Sequence, residues 1–223
     1  MSHTARRETV VLVHGLWMHG VVMWPLQRRV RAAGFDARTY SYSTVRCNLD
    51  DNARRLADSL RSLGRVPIHL VAHSMGGIVA VNAAALMPAG VIGRIVLIGT
   101  PFAESYSGRQ LERLPAGRRL LGACMAQWLH EPRPFVADLV AFDIGVIAGT
   151  GGIGMGRFIA PALRKPNDGV VAVEETRVPG MRDHIVLPAS HTAMLVSAAV
   201  ARHVCEYLSR GAFTHAGGGR RKL

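Results

Sequence analysis

Apolar positions along this chain follow two rhythms that alternate from the N-terminus onward. Thr9 to Val13 (TVVLV) is short, β-branched and apolar at consecutive positions, which predicts an interior strand buried on both faces. Trp24-Pro25 then opens a stretch in which Leu26, Val30 and Ala33 recur at helical spacing, with Gly34 placed to stop it. Ala37 to Tyr42 predicts a second strand. Asn48 to Leu63 predicts a helix, with Asn48 or Asp50 as its N-cap and Gly64 as its terminator. Its apolar face runs through Leu49, Ala53, Leu56, Ala57, Leu60 and Leu63. Ile68 to Ala72 follows as strand, Gly76 to Met87 as helix and Arg94 to Gly99 as strand.

The regularity breaks after Gly99. Ser105 to Asp143 keeps helical intervals but is interrupted by Pro115, Gly117, Pro132 and Pro134, so two or three short helices are expected over the sheet's upper edge. Ile144 to Ala148 resumes the strand pattern. A glycine-rich loop runs to Gly156, a short helix is expected over Arg157 to Arg164, and Asp168-Gly169 forms a turn. Asp183 to Leu187 predicts the last strand. Thr192 to Leu208 predicts a closing helix with Leu195, Ala199, His203 and Leu208 or Tyr207 inward. Strands alternating with helices imply an α/β class: crossover units on a mostly parallel sheet with helices on both faces. The ligand site of such a sheet lies beyond the carboxyl ends of its strands.

Composition bounds the picture. At 223 residues and 49% apolar content the chain can bury a full core, and one domain is expected over residues 1–214. Residues 215–223, ending AGGGRRKL, have no apolar face to bury and are expected to be a disordered basic tail. The formal charge is +12, yet Lys165 and Lys222 are the only lysines and the arginines are scattered. No basic run is interleaved with aromatics, so no specific nucleic-acid partner is expected; a field that steers acidic substrates or a membrane surface stays open. Cys47, Cys124 and Cys205 are far apart in sequence, which suits a reduced compartment. After Arg6-Arg7 only VVLV precedes His14, too short for a signal core of about 7–15 residues. No stretch reaches about 18 uninterrupted apolar residues. A cytoplasmic protein with no transmembrane segment is the expectation. No metal is expected either: no histidine pair has a zinc spacing, and Asp50-Asp51 makes no calcium loop. Gly149 to Gly156 lacks the order of a phosphate loop and reads as a flexible connection.

One serine stands out. Ser74 lies between a predicted strand and a predicted helix, with small residues at Ala72, Gly76 and Gly77. A strand–turn–helix of this kind lets the strand and helix approach closely and holds the serine hydroxyl out as a nucleophile. The alternative, a helix-capping serine, explains the hydroxyl but not the glycine doublet.

The segment AHSMGG, with His14-Gly15 after the first strand, Thr100-Pro101 and a late histidine, resembles the α/β-hydrolase superfamily. The alanine in the turn and the short chain are similar to small bacterial triacylglycerol lipases and related esterases. The resemblance covers nearly all of Thr9 to Leu208. It implies a three-layer fold with a sheet of eight strands or fewer, a small helical cap over about 102–143, hydrolysis of carboxylic esters from small molecules or lipids, and no cofactor. By its residue pattern Ser74 is the nucleophile and His191, in LPASHTAML, the base. Asp168 is the acid, with Asp143, Glu174, Glu175 and Asp183 as rivals. The backbone N–H groups of Met75 and Leu16 form the oxyanion hole, with Trp17 as a less favoured substitute for Leu16. Ala72, His73, Gly76, Gly77, His14 and Gly15 shape the turn. Trp17, Met18, Met125 and Trp128 are candidates for an acyl pocket, unless the stripe they belong to only packs on the sheet. Thioesterase or acyltransferase chemistry uses the same parts, and a non-catalytic binding protein of this fold is the remaining alternative.

Overall fold

The computed structural model describes residues 7–64, 67–131, 139–152 and 159–215. Its centre is a six-stranded sheet in the order β2-β1-β3-β4-β5-β6, with every pairing parallel. The strands are β1 (Thr9–Val13), β2 (Asp36–Tyr40), β3 (Ile68–His73), β4 (Ile92–Ile98), β5 (Asp143–Gly149) and β6 (Asp183–Leu187). The two-residue period of a strand divides their side chains between two cores. Val11 and Val13 of β1 join one apolar cluster with Leu70 and Ala72 of β3, while Val10 and Leu12 join the other with Val71. Both faces are therefore dry. That is why β1 and β3 read as continuous apolar runs, whereas the edge strands β2 (DARTY) and β6 (DHIVL) keep exposed positions.

The helices cover both faces. α1 (Trp24–Ala32) and α6 (Ala198–Arg210) pack on one side; α2 (Leu49–Ser62), α3 (Met75–Ala85), α4 (Tyr106–Glu112) and α5 (Gly117–His130) contribute to the core on the other. Local chemistry sets their ends. Pro25 sits in the first turn of α1, and Gly34 follows the helix at φ 101°. The Asn48 side chain caps α2 by accepting from Asp51 N–H at 2.8 Å, which settles the choice between Asn48 and Asp50.

Several expectations need correction. The closing helix begins at Ala198 after a 3-10 turn at Ala193–Leu195, because the Ser197 side chain accepts from Val200 N–H and starts a new helix there. Its inward face carries Val200, Ala201, His203, Val204, Tyr207 and Leu208, while Ala199 is half-buried. Ala160 to Arg164 is turn and irregular backbone, not helix; Arg157 and Phe158 lie outside the described residues. α5 is broken at Gly122 (φ 76°, ψ 166°), a break the proline pattern did not reveal. The cause is tertiary. A Cβ on Gly122 would stand 2.5 Å from Val45 Cα, and the neighbouring Ala123 N–H donates to Val45 O at 2.9 Å. His215, assigned to the tail, is held by Asp183 at 2.9 Å; residues 216–223 lie outside the described residues. The three cysteines are free thiols. No helix among the described residues is long and apolar enough to cross a membrane.

Candidate active site

The chain runs outward from β1 in both directions, to β2 on one side and β3 on the other, so the loops after β1 and β3 meet where the strand order reverses. Ser74 stands at this point. From Ile68 to Val81 every residue but Ser74 is buried. Its backbone lies at φ 53°, ψ −129°, which residues with side chains rarely adopt, and its side chain makes no capping bond to α3. Those two facts remove the helix-cap reading.

The glycines around it are explained by contact. A Cβ on Gly76 would lie 2.2 Å from the His14 carbonyl oxygen, and one on Gly77 would lie 2.1 Å from Thr100 Oγ1. Gly76 thus lets α3 meet the end of β1, and Gly77 lets it meet the turn after β4. A Cβ on Gly15 would lie 3.0 Å from Ser74 Cβ, so the loop after β1 rests against the serine. Ala72 is fully buried within β3. His14 braces the loop: its Nε2 accepts from Tyr42 N–H (3.3 Å), its Nδ1–H donates to Gly15 O (3.0 Å), and Tyr42 Oη–H donates to His14 O (3.0 Å). Burial lowers the pKa of this imidazole, which keeps it neutral.

Asp168 and His191 form a buried pair, with Asp168 Oδ2 accepting from His191 Nδ1–H at 2.7 Å. The other carboxylate oxygen accepts from Val170 and Val171 N–H at 2.9 and 2.7 Å. The two backbones are joined as well, His191 N–H donating to Asp168 O at 2.9 Å. Such a carboxylate fixes the imidazole with its proton on Nδ1, leaving Nε2 free to accept. The rival acids are engaged elsewhere. Asp143 and Asp183 lie at strand starts with Arg94 and His215. Glu174 pairs with Arg164, and Glu175 is buried, accepting from Tyr106 N–H (2.6 Å) and Ala172 N–H (2.7 Å). Burial raises the Glu175 pKa against the pull of those two bonds. Ser107 Oγ–H also donates to Val170 O, so the start of α4 is tied twice to the loop that carries Asp168.

Two residues under the pair were missed. Gly99 has φ 56°, and a Cβ there would approach Met194 Cε at 2.7 Å, Asp168 Oδ2 at 3.1 Å and His191 Cε1 at 3.2 Å. Gly149 would press a Cβ 2.8 Å from Asp168 Cβ. Glycines closing successive parallel strands were the available signal. Gly149 and Gly151 are accordingly packed against the Ala189–Ser190 backbone, which corrects the expectation of a flexible connection there; Ile153 to Gly156 lie outside the described residues.

His73 is fully buried and donates from Nε2 to the His191 carbonyl at 3.0 Å. Desolvation first, then the neighbouring His191, pushes its pKa down to about 3, so it is a neutral strut. The N–H groups of Leu16 and Met75 have no acceptor among the described residues, whereas Trp17 N–H is taken by Thr44 Oγ1 at 3.3 Å. Trp17 is itself at φ 58°, a second strained residue within the same loop.

Ser74 and His191 border one cavity of about 470 Å³. Leu16, Trp17, Met18, Leu111, Leu121 and Met125 supply apolar wall. Trp128 does not. It is 2% exposed and packs against Phe102, ring centroids 5.2 Å apart, while Met125 three residues earlier borders the cavity. Leu114 and Leu120, placed on the same stripe, face solvent. A larger cavity of about 730 Å³ beside Lys165 and Asn167 is bordered by neither Ser74 nor His191, so chemistry and not size selects the site.

Comparison with known proteins agrees with this frame. Residues 10–211 match the model of the alpha/beta hydrolase family. The mature lipase BlEst2 of Bacillus licheniformis superposes with a TM-score of 0.74 at 17% identity, over 93% of each chain. Carboxylesterase CesB of Bacillus subtilis gives 0.58 at 19% identity, over 93% of this chain and 85% of that one. Among curated sequences, the dihydrolipoyllysine-residue acetyltransferase component of the acetoin cleaving system of Pseudomonas putida is 28% identical over 146 residues. That match takes in 60% of this chain and spans 40% of the relative's length. With nearly the whole described sheet inside the matched family model, the chain belongs to the α/β hydrolase family.

Proposed function

We propose that this hydrolase cleaves carboxylic esters through an acyl-enzyme intermediate on Ser74, acting as one catalytic domain with α4 and α5 as its cap. The observation that carries the reading is the 2.7 Å bond between buried Asp168 and His191, on the rim of a cavity that also exposes Ser74 at a strained turn. Ser74 Oγ attacks the ester carbonyl carbon while His191 Nε2 takes its proton. The oxyanion is held by the free N–H groups of Met75 and Leu16, Met75 lying at the positive end of α3. Collapse expels the alcohol, which takes the proton from His191. Water then repeats the sequence, with its proton passing through His191 back to Ser74. Asp168 holds the imidazole in place throughout.

The apolar lining suits an uncharged acyl chain, each buried methylene adding about 0.8 kcal/mol to binding. A fluorophosphonate probe tests the class. It should label the wild-type protein and not Ser74→Ala, and equal labelling of both would end the assignment. Transfer to an acceptor other than water is a second reading, favoured by the acetyltransferase named among the relatives. A rise in p-nitrophenyl acetate turnover with an added thiol or alcohol, and acetylated acceptor as product, would select it.

A further inference from the structure

The outer rim of the cavity differs from its wall. Trp17, Leu114 and Leu120 are large apolar side chains about half exposed, at 50%, 46% and 51%. Three segments meet there. The Trp17 indole N–H donates to Leu120 O at 2.8 Å, Trp17 N–H donates to Thr44 Oγ1, and Ala123 N–H donates to Val45 O. The same segments expose Arg46, Arg113, Arg118 and Arg119, and residues 13–20, 41–47 and 113–123 contain no aspartate or glutamate. The adjacent carboxylate, Glu112, is taken by Arg118 (3.2 Å) and His130 (2.9 Å). Arg46, Arg113 and Arg119 pair with no carboxylate among the described residues.

We propose that this rim docks the protein on an anionic lipid surface, with the cavity mouth against the acyl esters held there. The inference rests on the reading of the cavity as the ester site. Unpaired guanidinium groups favour a surface bearing phosphates, which they bind in a planar, two-pronged fashion. Interleaved aliphatic side chains gain nothing from a purely polyanionic partner such as nucleic acid, but gain by entering the acyl boundary. Trp17, with its indole N–H satisfied and its ring exposed, has the amphipathic character of residues at headgroup level. Leu111 and Leu121 line the cavity while Leu114 and Leu120 face outward, so a chain leaving the surface would pass directly onto the apolar wall.

Co-sedimentation of the full chain with phosphatidylcholine vesicles, with and without about 30% phosphatidylglycerol, tests this at an ionic strength on the order of 0.1 M. Wild-type protein should partition to the anionic vesicles and not to the neutral ones. Arg113→Gln/Arg119→Gln should lower that partition roughly 10- to 30-fold, and Leu114→Ser/Leu120→Ser should lower it too. Both variants should keep wild-type turnover of p-nitrophenyl acetate in vesicle-free buffer. Equal partition to both vesicle types, or a partition unchanged in the arginine variant, overturns the proposal. So does a loss that heparin or duplex DNA binding shares while the leucine variant binds vesicles normally. A protein that partitions as expected but is not labelled by fluorophosphonate would leave the docking surface standing and remove the esterase reading. Ester turnover without preferential partition would do the reverse.

Discussion

Ser74 keeps its side chain at φ 53°, ψ −129°, a conformation that costs a non-glycine residue on the order of 1–3 kcal/mol. A residue chosen for stability would be glycine, so the strain and the hydroxyl separate cleanly by substitution. Ser74→Gly should be inactive yet more stable than Ser74→Ala by roughly 1 kcal/mol, read from urea midpoints. A glycine variant no more stable than the alanine variant would show that the turn is not strained. Asp168 makes the complementary case. Asp168→Asn should fold normally and lose about 10³–10⁴ in kcat, since an amide no longer holds the Nδ1–H tautomer, while Glu174→Gln should turn over as wild type. The sequence made Ser74 legible because its neighbours must be small. Asp168 stood among rivals because a carboxylate's partners are set by loops; its 2.7 Å bond to His191 and the closure of residues 168–171 on it set it apart from Glu174 and Glu175.

At the scale of elements, the inner strands were readable because both faces are buried, and the errors gather where one element's shape depends on another. The break in α5 at Gly122 answers to Val45, far away in sequence, and no periodicity along α5 announces it. The two sides of that helix now give opposite expectations. Trp128→Ala should cost about 3–5 kcal/mol of stability and leave the preference for longer acyl esters intact. Met125→Ala, which trims the cavity wall, should flatten the rise of kcat/KM from acetyl to octanoyl esters. A flattened profile in the Trp128 variant would return that ring to the pocket. Gly76→Ala drives a methyl against the His14 carbonyl, so α3 and β1 must part; a loss of roughly 1–3 kcal/mol is expected, with activity falling alongside.

For the whole molecule, buried imidazoles contribute to the response to acid. Burial lowers the pKa of His73 to about 3 and, with the charge of Arg177, that of His184 to about 4, against an ordinary value of 6.5. As pH falls through 6.5 the unfolded chain takes up these protons and the folded one does not. Stability is therefore fully present above pH 6.5 and declines down to about pH 4 for His184 and about pH 3 for His73. Each fully coupled site contributes a slope of about 1.4 kcal/mol per pH unit. His184→Gln keeps a donor for Thr176 but cannot titrate, so its urea midpoint should fall less between pH 7 and pH 5 than that of wild type. Parallel curves would remove His184 from the account.

If the proposed triad holds, the double tie between α4 and the Asp168 loop makes the protein's selectivity and its proton machinery genetically inseparable. On the proposed reading, Glu175 and Ser107 connect a wall that selects the acyl chain to the carboxylate that orients the base. Epistasis should be concentrated there. Substitutions that reshape α4 will change fitness according to what residues 170–175 already contain, and a cap transplanted from a relative will need its own acid loop to travel with it.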